Sequence, residues 1–230
     1  MMLKIKLNKL LFLLSFLILG CSENDARGKK IKVVVIGSST AAGVGATNYS
    51  SSWVGLLQSA SQDNFVNNAV SGYTTFHFLP EAKSNSLGIV PDVNRNISAS
   101  LKLNPDLIIF SITTNDIANG FSVDDYMANM KIITDLCKNN NVDFLVSSTL
   151  PRTMSYDQKL ALVAINQELE AVYGENYFDF YTPLCNLDIF EYKFSVDSGD
   201  HVHPNNNGHR IIFEVLYPVY TKLKNKALAK

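Results

Sequence analysis

The sequence has few cysteines, little net charge and no internal repeat. Only three of its 230 residues are cysteine, and their spacing gives no disulfide framework. The 20 basic and 21 acidic residues leave a formal net charge of −1, so nothing indicates a nucleic-acid surface. A chain of this length and ordinary composition is typical of one globular domain with a hydrophobic core.

The glycine patterns match neither nucleotide-binding motifs nor the nucleophile elbow of α/β-hydrolases. Gly37 and Gly43 are separated by five residues with no Lys-Ser/Thr after them, which is not a P-loop. A third glycine is missing after Gly43 and Gly45, which argues against a dinucleotide turn. Ala41 stands where Gly-x-Ser-x-Gly requires its last glycine.

An apolar run lies at the amino terminus, where residues 10–19 follow three lysines. The run is too short to span a membrane and is typical of a signal peptide over residues 1–20. The following cysteine, Cys21, completes a segment that resembles the bacterial lipobox, in which the cysteine is lipidated. We therefore expect an exported bacterial lipoprotein, periplasmic or at the cell surface, with a membrane anchor at Cys21 and a tether over residues 21–30. The alternative is an ordinary signal peptide with an incidental cysteine.

Apolar segments alternate with helical patterns over residues 31–230, which are predicted to form one domain. The predicted strands are 31–37, 65–70, 106–112, 143–148 and 177–181. The predicted helices are 52–61, 91–103, 124–139, 156–173 and 208–228. The strands are mostly continuous in hydrophobicity, which is typical of parallel strands covered on both faces. The pattern predicts a three-layer α/β/α fold around a flavodoxin-like, doubly wound, five-stranded parallel sheet.

Two of the predicted helices carry local signals. Ser122 and Asp125 form a plausible capping pair at the start of the third helix. In the fourth helix Leu160, Val163, Ala164, Gln167 and Val172 fall roughly on one side, which predicts a mostly apolar face there.

Polar residues follow the predicted strands or precede the last helix. Ser39 lies just beyond the first strand, Asn115 beyond the third, and Asp200 and His203 before the final helix. The carboxyl ends of parallel strands share one edge, so these side chains are expected to meet. Serine, histidine and aspartate can serve as nucleophile, base and orienting acid. The sequence therefore predicts an ester hydrolase that works by acyl transfer to serine.

Four segments together resemble the sequence blocks of the SGNH hydrolases, also called the GDSL esterase/lipase family. In chain order they are Gly37-Ser38-Ser39, Ser71-Gly72, Thr114-Asn115-Asp116 and Asp200-x-x-His203-Pro204. The resemblance implies that Ser39 is the nucleophile, that His203 is the general base and that Asp200 orients His203. It also implies an oxyanion hole formed by the backbone of Ser39 with Gly72 and Asn115. No cofactor or metal is implied.

The chain departs from the family pattern at several positions. Ser38 stands where the family has aspartate, and Thr114 where it usually has glycine before the asparagine. Because Ser38 could be mistaken for the nucleophile, the register needs a second marker. Gly43, four residues beyond Ser39, matches the family's Gly-Asp-Ser-x-x-x-Gly and favours Ser39.

Two other functions stay open at this stage. One is metal-dependent hydrolysis with Asp200, His201, His203 and His209 as ligands, for which chelator sensitivity would be the test. The other is a surface-binding lipoprotein without turnover, for which Ser38 is the best indication.

The substrate is expected to be a small-molecule or glycan ester. A carbohydrate O-acetylesterase or other short-chain acylhydrolase is the first interpretation, and a lysophospholipase or thioesterase is the alternative. The longest irregular segments are 73–92 and 182–199. Their aromatic residues either line a substrate pocket or pack these loops onto the body. They are Tyr73, Phe76, Phe78, Phe190, Tyr192 and Phe194.

Overall fold

A five-stranded parallel sheet forms the centre of the protein, which a computed structural model describes over residues 28–228. Its strands are β1 Lys32–Gly37, β2 Asn64–Asn67, β3 Leu107–Ser111, β4 Asp143–Ser147 and β5 Tyr177–Phe178. They lie in the order β2-β1-β3-β4-β5, and every neighbouring pair is parallel. The predicted flavodoxin-like order is confirmed, and the strand order reverses between β1 and β3, where ligands bind in such sheets.

Helices cover both faces of the sheet. In chain order they are α1 Ser39–Ala42, α2 Trp53–Ser61, α3 Thr75–Phe78, α4 Ile97–Leu101, α5 Asn115–Ala118, α6 Val123–Asn139, α7 Tyr156–Tyr173, α8 Tyr181–Leu184 and α9 Asn206–Leu228. A small hairpin, β6 Cys185–Asn186 with β7 Glu191–Tyr192, follows α8. None of the helices within residues 28–228 is long and apolar enough to cross a membrane.

Alternate residues of each strand pack into one of two cores. Val34 and Ile36 of β1 belong to the core that includes residues of α6 and α7, such as Met130. Val33 and Val35 belong to the opposite core, which includes residues of α2 and α9. Because both faces of the sheet are covered, its strands are apolar throughout instead of alternating with polar residues.

Three predicted elements are wrong in extent by three residues or more. The second strand ends at Asn67 rather than at residue 70, and the Asn67 side chain accepts a hydrogen bond from the Ala69 N–H at 3.0 Å. The last strand ends at Phe178 rather than at residue 181, because the Ser148 hydroxyl accepts hydrogen bonds from the N–H groups of Phe180 and Tyr181, at 3.0 and 2.9 Å. The backbone then turns into α8. The predicted helix 91–103 shrinks to α4, since Asn96 caps it by accepting from the Ala99 N–H at 2.9 Å.

The details of the longer helices are partly as predicted. Ser122 and Asp125 form the expected capping box at the start of α6. The predicted apolar face of α7 is wrong, since Leu160 and Val172 are 40% and 62% exposed. The residues of α7 that are buried lie instead on a neighbouring face: Leu162, Ile165, Leu169 and Tyr173.

Cys137 and Cys185 are buried free thiols, as the lack of a disulfide pattern indicated. Burial raises the pKa of Cys137 to about 12. This thiol is therefore protonated at neutral pH and is not a nucleophile.

Candidate active site

Ser39 begins α1 directly after β1, at the carboxyl edge of the sheet. A Cβ on Gly37 would lie 2.6 Å from the Ser111 carbonyl oxygen and from the Ala41 Cβ, so only glycine fits at this bend. Ser38 is 1% exposed, and its Oγ lies 3.5 Å from the Thr113 hydroxyl. The two serines therefore face different surroundings, and only Ser39 contacts a histidine.

The structure brings Ser39, His203 and Asp200 together in one chain of hydrogen bonds. Ser39 Oγ lies 2.8 Å from His203 Nε2. On the other side of the imidazole, Nδ1 lies 2.6 Å from Asp200 Oδ2. These distances suit a hydroxyl that donates to an imidazole and an imidazole that donates to a carboxylate.

Asp200 is held by several donors besides His203 Nδ1. Its Oδ1 accepts from the Ser198 hydroxyl and from the N–H groups of Val202 and His203, at 2.8–2.9 Å. Desolvation by burial raises the pKa of Asp200, but these hydrogen bonds and the one from the His203 ring outweigh it and hold the pKa well below its usual range. The carboxylate is therefore ionised at neutral pH and stabilises a protonated imidazole.

The loop that carries His203 is packed against the segment after α1. Gly45 adopts φ +94°, and a Cβ there would lie 2.1 Å from the Pro204 carbonyl oxygen. Two residues on, the Thr47 N–H donates to Asn206 Oδ1 at 2.9 Å. These contacts join the Ser39 side of the site to the start of α9.

Gly72 and Asn115 lie on segments that are bonded to one another. The Asn115 side-chain amide donates to the Tyr73 carbonyl oxygen at 2.9 Å, next to the Gly72 turn. Gly72 adopts φ +84°, and no atom lies within 4 Å of where its Cβ would be. The positive φ is thus the reason for glycine here, and not the close approach of neighbouring atoms.

The next residue, Asp116, reinforces the same junction. It is 1% exposed and accepts hydrogen bonds from the Thr75 N–H, at 3.1 and 3.2 Å, and from the Thr75 hydroxyl, at 2.5 Å. The segments after β2 and β3 are therefore fixed relative to each other by two consecutive side chains.

Arg152 is a residue of this edge that the sequence reasoning missed. It follows β4, and its Nη1 lies 3.3 Å from Thr114 Oγ1 and 3.5 Å from Asn115 Oδ1. Burial lowers its pKa, while the charge of Asp200 raises it. A charged residue shortly after the end of a buried strand was the signal that could have found it.

The other histidines have separate partners. His201 is paired through Nδ1 with Asp197, at 2.5 Å, and its side chain is 65% exposed. His209 is buried. Its Nδ1 lies 3.3 Å from the backbone nitrogen of Trp53, and its Nε2 lies 3.0 Å from the Val44 carbonyl oxygen. Burial lowers the pKa of His209 to about 4.

These positions bear on the alternative metal site. Within residues 28–228, no group of three or more histidine, cysteine, aspartate or glutamate side chains is arranged to hold a metal ion. The four residues considered as metal ligands are thus not gathered around one point. Both ring nitrogens of His209 are hydrogen-bonded to backbone atoms.

Three of the six loop aromatics are buried in the body of the protein. Phe76, Phe78 and Tyr192 are all buried, and the ring of Tyr73 stacks on His77 with centroids 4.1 Å apart. Phe194 is 98% exposed. The packing interpretation therefore holds for the three buried residues.

A serine, a histidine and an aspartate that are hydrogen-bonded in sequence at the carboxyl edge of an α/β/α sheet form an arrangement found in several classes of hydrolase. The model of the GDSL-like lipase/acylhydrolase family matches residues 35–211. The match covers most of the chain, which therefore belongs to this family, the SGNH hydrolases.

Solved structures share the fold of this chain. One is a protein assigned to the lipolytic G-D-S-L family from Desulfitobacterium hafniense, with 20% identity, a TM-score of 0.67 and coverage of 83% of this chain and 99% of that one. The psychrotrophic esterase EstA from Pseudoalteromonas sp. has 18% identity, a TM-score of 0.63 and coverage of 85% and 100%. A carbohydrate esterase family 3 structure from Talaromyces cellulolyticus has 16% identity, a TM-score of 0.65 and coverage of 85% and 99%. No curated protein matches the sequence.

The predicted signal peptide, residues 1–20, and the lipidation site, Cys21, lie outside the described residues. So does most of the predicted tether. These predictions remain predictions.

Proposed function

We propose that the protein is a serine esterase that hydrolyses carboxylic esters through an acyl-serine intermediate. The observation that carries the proposal is the 2.8 Å contact between Ser39 Oγ and His203 Nε2, with Asp200 on the far nitrogen. An alcohol is a weak nucleophile at neutral pH and needs a base within hydrogen-bond reach. His203 meets this requirement, and Asp200 fixes its orientation and tautomer.

In the acylation step Ser39 Oγ attacks the ester carbonyl carbon while His203 takes its proton. Collapse of the tetrahedral intermediate breaks the bond to the alcohol, which leaves with the proton returned by His203. In the second step water attacks the acyl-serine and gives a proton to His203. The bond to Ser39 Oγ then breaks, His203 returns the proton to Ser39 Oγ, and the acid is released.

The negative oxygen of each tetrahedral intermediate needs donors already in place. We assign this role to the Ser39 N–H, the Gly72 N–H and the Asn115 side-chain amide. The bonds from Asn115 to Tyr73 and from Thr75 to Asp116 support the assignment, since they hold the two contributing segments in a fixed relation.

The first experiment treats residues 22–230 with a fluorophosphonate probe and measures intact mass, with 4-nitrophenyl acetate turnover alongside. We expect one adduct and turnover in the wild type, and neither in Ser39→Ala. The matched control is Ser38→Ala, because the Ser38 hydroxyl lies against Thr113 and does not contact His203. This variant should retain both the adduct and the turnover. Loss in Ser38→Ala with retention in Ser39→Ala would overturn the register. Absence of both adduct and turnover in the wild type would favour a binding lipoprotein.

For the substrate we propose an O-acetylated carbohydrate. A cavity of about 390 Å³ borders the His203 loop and is lined by Gly45, Thr47, Ser198 and three asparagines, 205 to 207. Hydroxyl and amide groups of this kind form hydrogen bonds with sugar hydroxyls. The shared fold with a carbohydrate esterase adds support.

The rate of acetate release from acetylated oligosaccharides tests this substrate against its rivals. We expect it to exceed the rates on 4-nitrophenyl decanoate and on a lysophospholipid, measured with the same preparation. Faster hydrolysis of either long-chain substrate would favour the lysophospholipase or thioesterase alternative.

We further propose that Cys21 carries the lipid anchor. The sequence of the first 21 residues supports the anchor, and the path of the chain fits a substrate outside the bilayer. Residues 28–30 lie at the amino edge of the sheet, near Lys224 at the end of α9. Ser39 lies beyond the other end of β1, and the six extended residues of that strand span about 20 Å. Detergent-phase partitioning of full-length protein, lost in Cys21→Ala, is the expected result; unchanged partitioning would refute the anchor.

A further inference from the structure

Arg152 is a half-buried cation at the edge of the site, and within residues 28–228 it has no carboxylate partner at ion-pair distance. Only its Nη1 makes hydrogen bonds there, and both are long, at 3.3 and 3.5 Å. Arg210, by contrast, is exposed and pairs with Glu214 at 3.2 Å. A guanidinium has five N–H donors and remains a cation at neutral pH, so most of the hydrogen-bonding capacity of Arg152 is left for another group.

Arg152 lies between the two halves of the proposed machinery. On one side its Nη1 is next to Asn115 Oδ1. On the other side the N–H of the adjacent residue, Thr153, donates to the His201 carbonyl oxygen at 3.0 Å, within the loop that carries Asp200 and His203. A group bound by Arg152 would therefore lie beside an ester positioned at Ser39.

The nearby carboxylate of Asp200 is not hydrogen-bonded to Arg152. Asp200 acts on Arg152 through its charge, but the oxygens of Asp200 are taken by Ser198, Val202 and His203. A bound group can complete the hydrogen bonds of this partly desolvated guanidinium, which has no direct anionic partner within residues 28–228. A carboxylate does this best, because its two oxygens match the arginine fork.

We propose that Arg152 forms a subsite for a carboxylate on the substrate. The inference rests on the proposed function: an acetyl group carries no charge, so the carboxylate must belong to the alcohol part of the ester. The substrate class is then an O-acetylated acidic sugar, such as a uronate, or another acetylated hydroxy acid. Arg152 would select this substrate and hold it beside the oxyanion donors.

The test compares matched aryl acetates, the meta and para isomers of acetoxybenzoate, with the corresponding neutral acetoxybenzamides. In Arg152→Gln, kcat/KM for a carboxylate ester should fall relative to its amide partner by about tenfold to a hundredfold, the range expected when a charge-assisted hydrogen bond is lost. In Arg152→Lys the same relative kcat/KM should fall less, because lysine keeps the positive charge but lacks the paired N–H donors of the guanidinium. The control Arg210→Gln removes an equal charge from an exposed pair and should leave the ratio as in the wild type.

An equal fall for carboxylate and amide esters would overturn the subsite and make Arg152 a residue that positions the Asn115 amide. An unchanged kcat/KM for the carboxylate esters of both isomers would also overturn it. Failure of the proposed function is distinguishable, because Ser39→Ala would then hydrolyse all the esters as fast as the wild type, or the wild type would hydrolyse none.

A binding measurement covers the case of no turnover. Calorimetry in the Ser39→Ala background should show that Arg152→Gln weakens binding of an acetoxybenzoate at least about tenfold, with the amide much less affected. Equal affinity of the two proteins for the carboxylate would refute the subsite independently of catalysis.

Discussion

Asp116 is a buried carboxyl group whose ionisation should reduce stability as the pH rises. The residue is 1% exposed and bonds both the N–H and the hydroxyl of Thr75. Burial raises its pKa to about 6, although the bonds from Thr75 act in the opposite direction. We expect Asp116→Asn to remove this pH dependence from the free energy of unfolding.

The sign and size follow from proton linkage. The ordinary pKa of an aspartate is 3.8, so between that pH and about 6 the folded chain binds more protons at this site than the unfolded chain. The free energy of unfolding therefore falls as pH rises through this window. A shift of roughly two units corresponds to about 3 kcal/mol in total, of which about 2 kcal/mol falls between pH 4.5 and 7.5.

Urea unfolding of the wild type and of Asp116→Asn at a series of pH values measures this effect. All other titrating groups are common to the two proteins, so their contributions cancel in the difference at each pH. The stability of the wild type relative to the variant should be greatest at the acid end and should fall by about 2 kcal/mol by pH 7.5. A difference that is constant, or that grows with pH, would refute the reasoning.

Three further predictions concern the site and its supports. Asp200→Asn should lower kcat by about a thousandfold or more with little change in KM, measured with an acetate ester, because the imidazole loses its anionic partner; a tenfold loss would contradict this role. Gly45→Ala should lower the free energy of unfolding by about 2 kcal/mol or more and reduce kcat, since its φ is +94° and its Cβ would meet the Pro204 carbonyl next to His203; unchanged urea midpoints would contradict it. His209→Gln should lose less stability in acid than the wild type. Burial lowers the His209 pKa from 6.5 to about 4, so the free energy of unfolding of the wild type falls by about 3 kcal/mol as pH falls through that window. Parallel curves of stability against pH, measured by urea unfolding, would refute this.

The sheet could be predicted because its strands are short, apolar and regularly separated by helical segments. Val33 to Ile36 are buried on both faces, and such a run has few alternatives within an α/β pattern. The end of β5 could not be predicted in the same way. It depends on Ser148, a residue 32 positions earlier in the chain, which captures the N–H of Phe180.

The prediction of which face of α7 is buried was wrong for a related reason. Leu160, Val163 and Val172 are as hydrophobic as the residues that are buried, so composition did not separate the two faces. The buried face is the one that meets the core, and Ile165 and Leu169 lie there with no exposed surface. Only the three-dimensional packing decides between such adjacent faces.

The central site residues were predicted because each lies next to a recognisable strand end or helix start. Ser39, His203 and Asp200 are brought together as the sequence indicated. Arg152 lies at the same edge, but it belongs to no motif, and its contact with Asn115 arises from the pairing of β3 with β4. A contact of this kind depends on how the loops pack, which a sequence pattern does not record.

The departures from the family pattern at Ser38 and Thr114 have different meanings. Ser38 was the best support for a protein without turnover, yet its side chain is buried against Thr113 and does not contact His203. The change at this position therefore leaves the hydrogen bonds of Ser39 in place. Thr114 stands where glycine is usual, and its hydroxyl lies 3.3 Å from Arg152 Nη1. Glycine has no side chain to make that contact, so the departure at Thr114 supports the arginine on which the proposed carboxylate subsite depends.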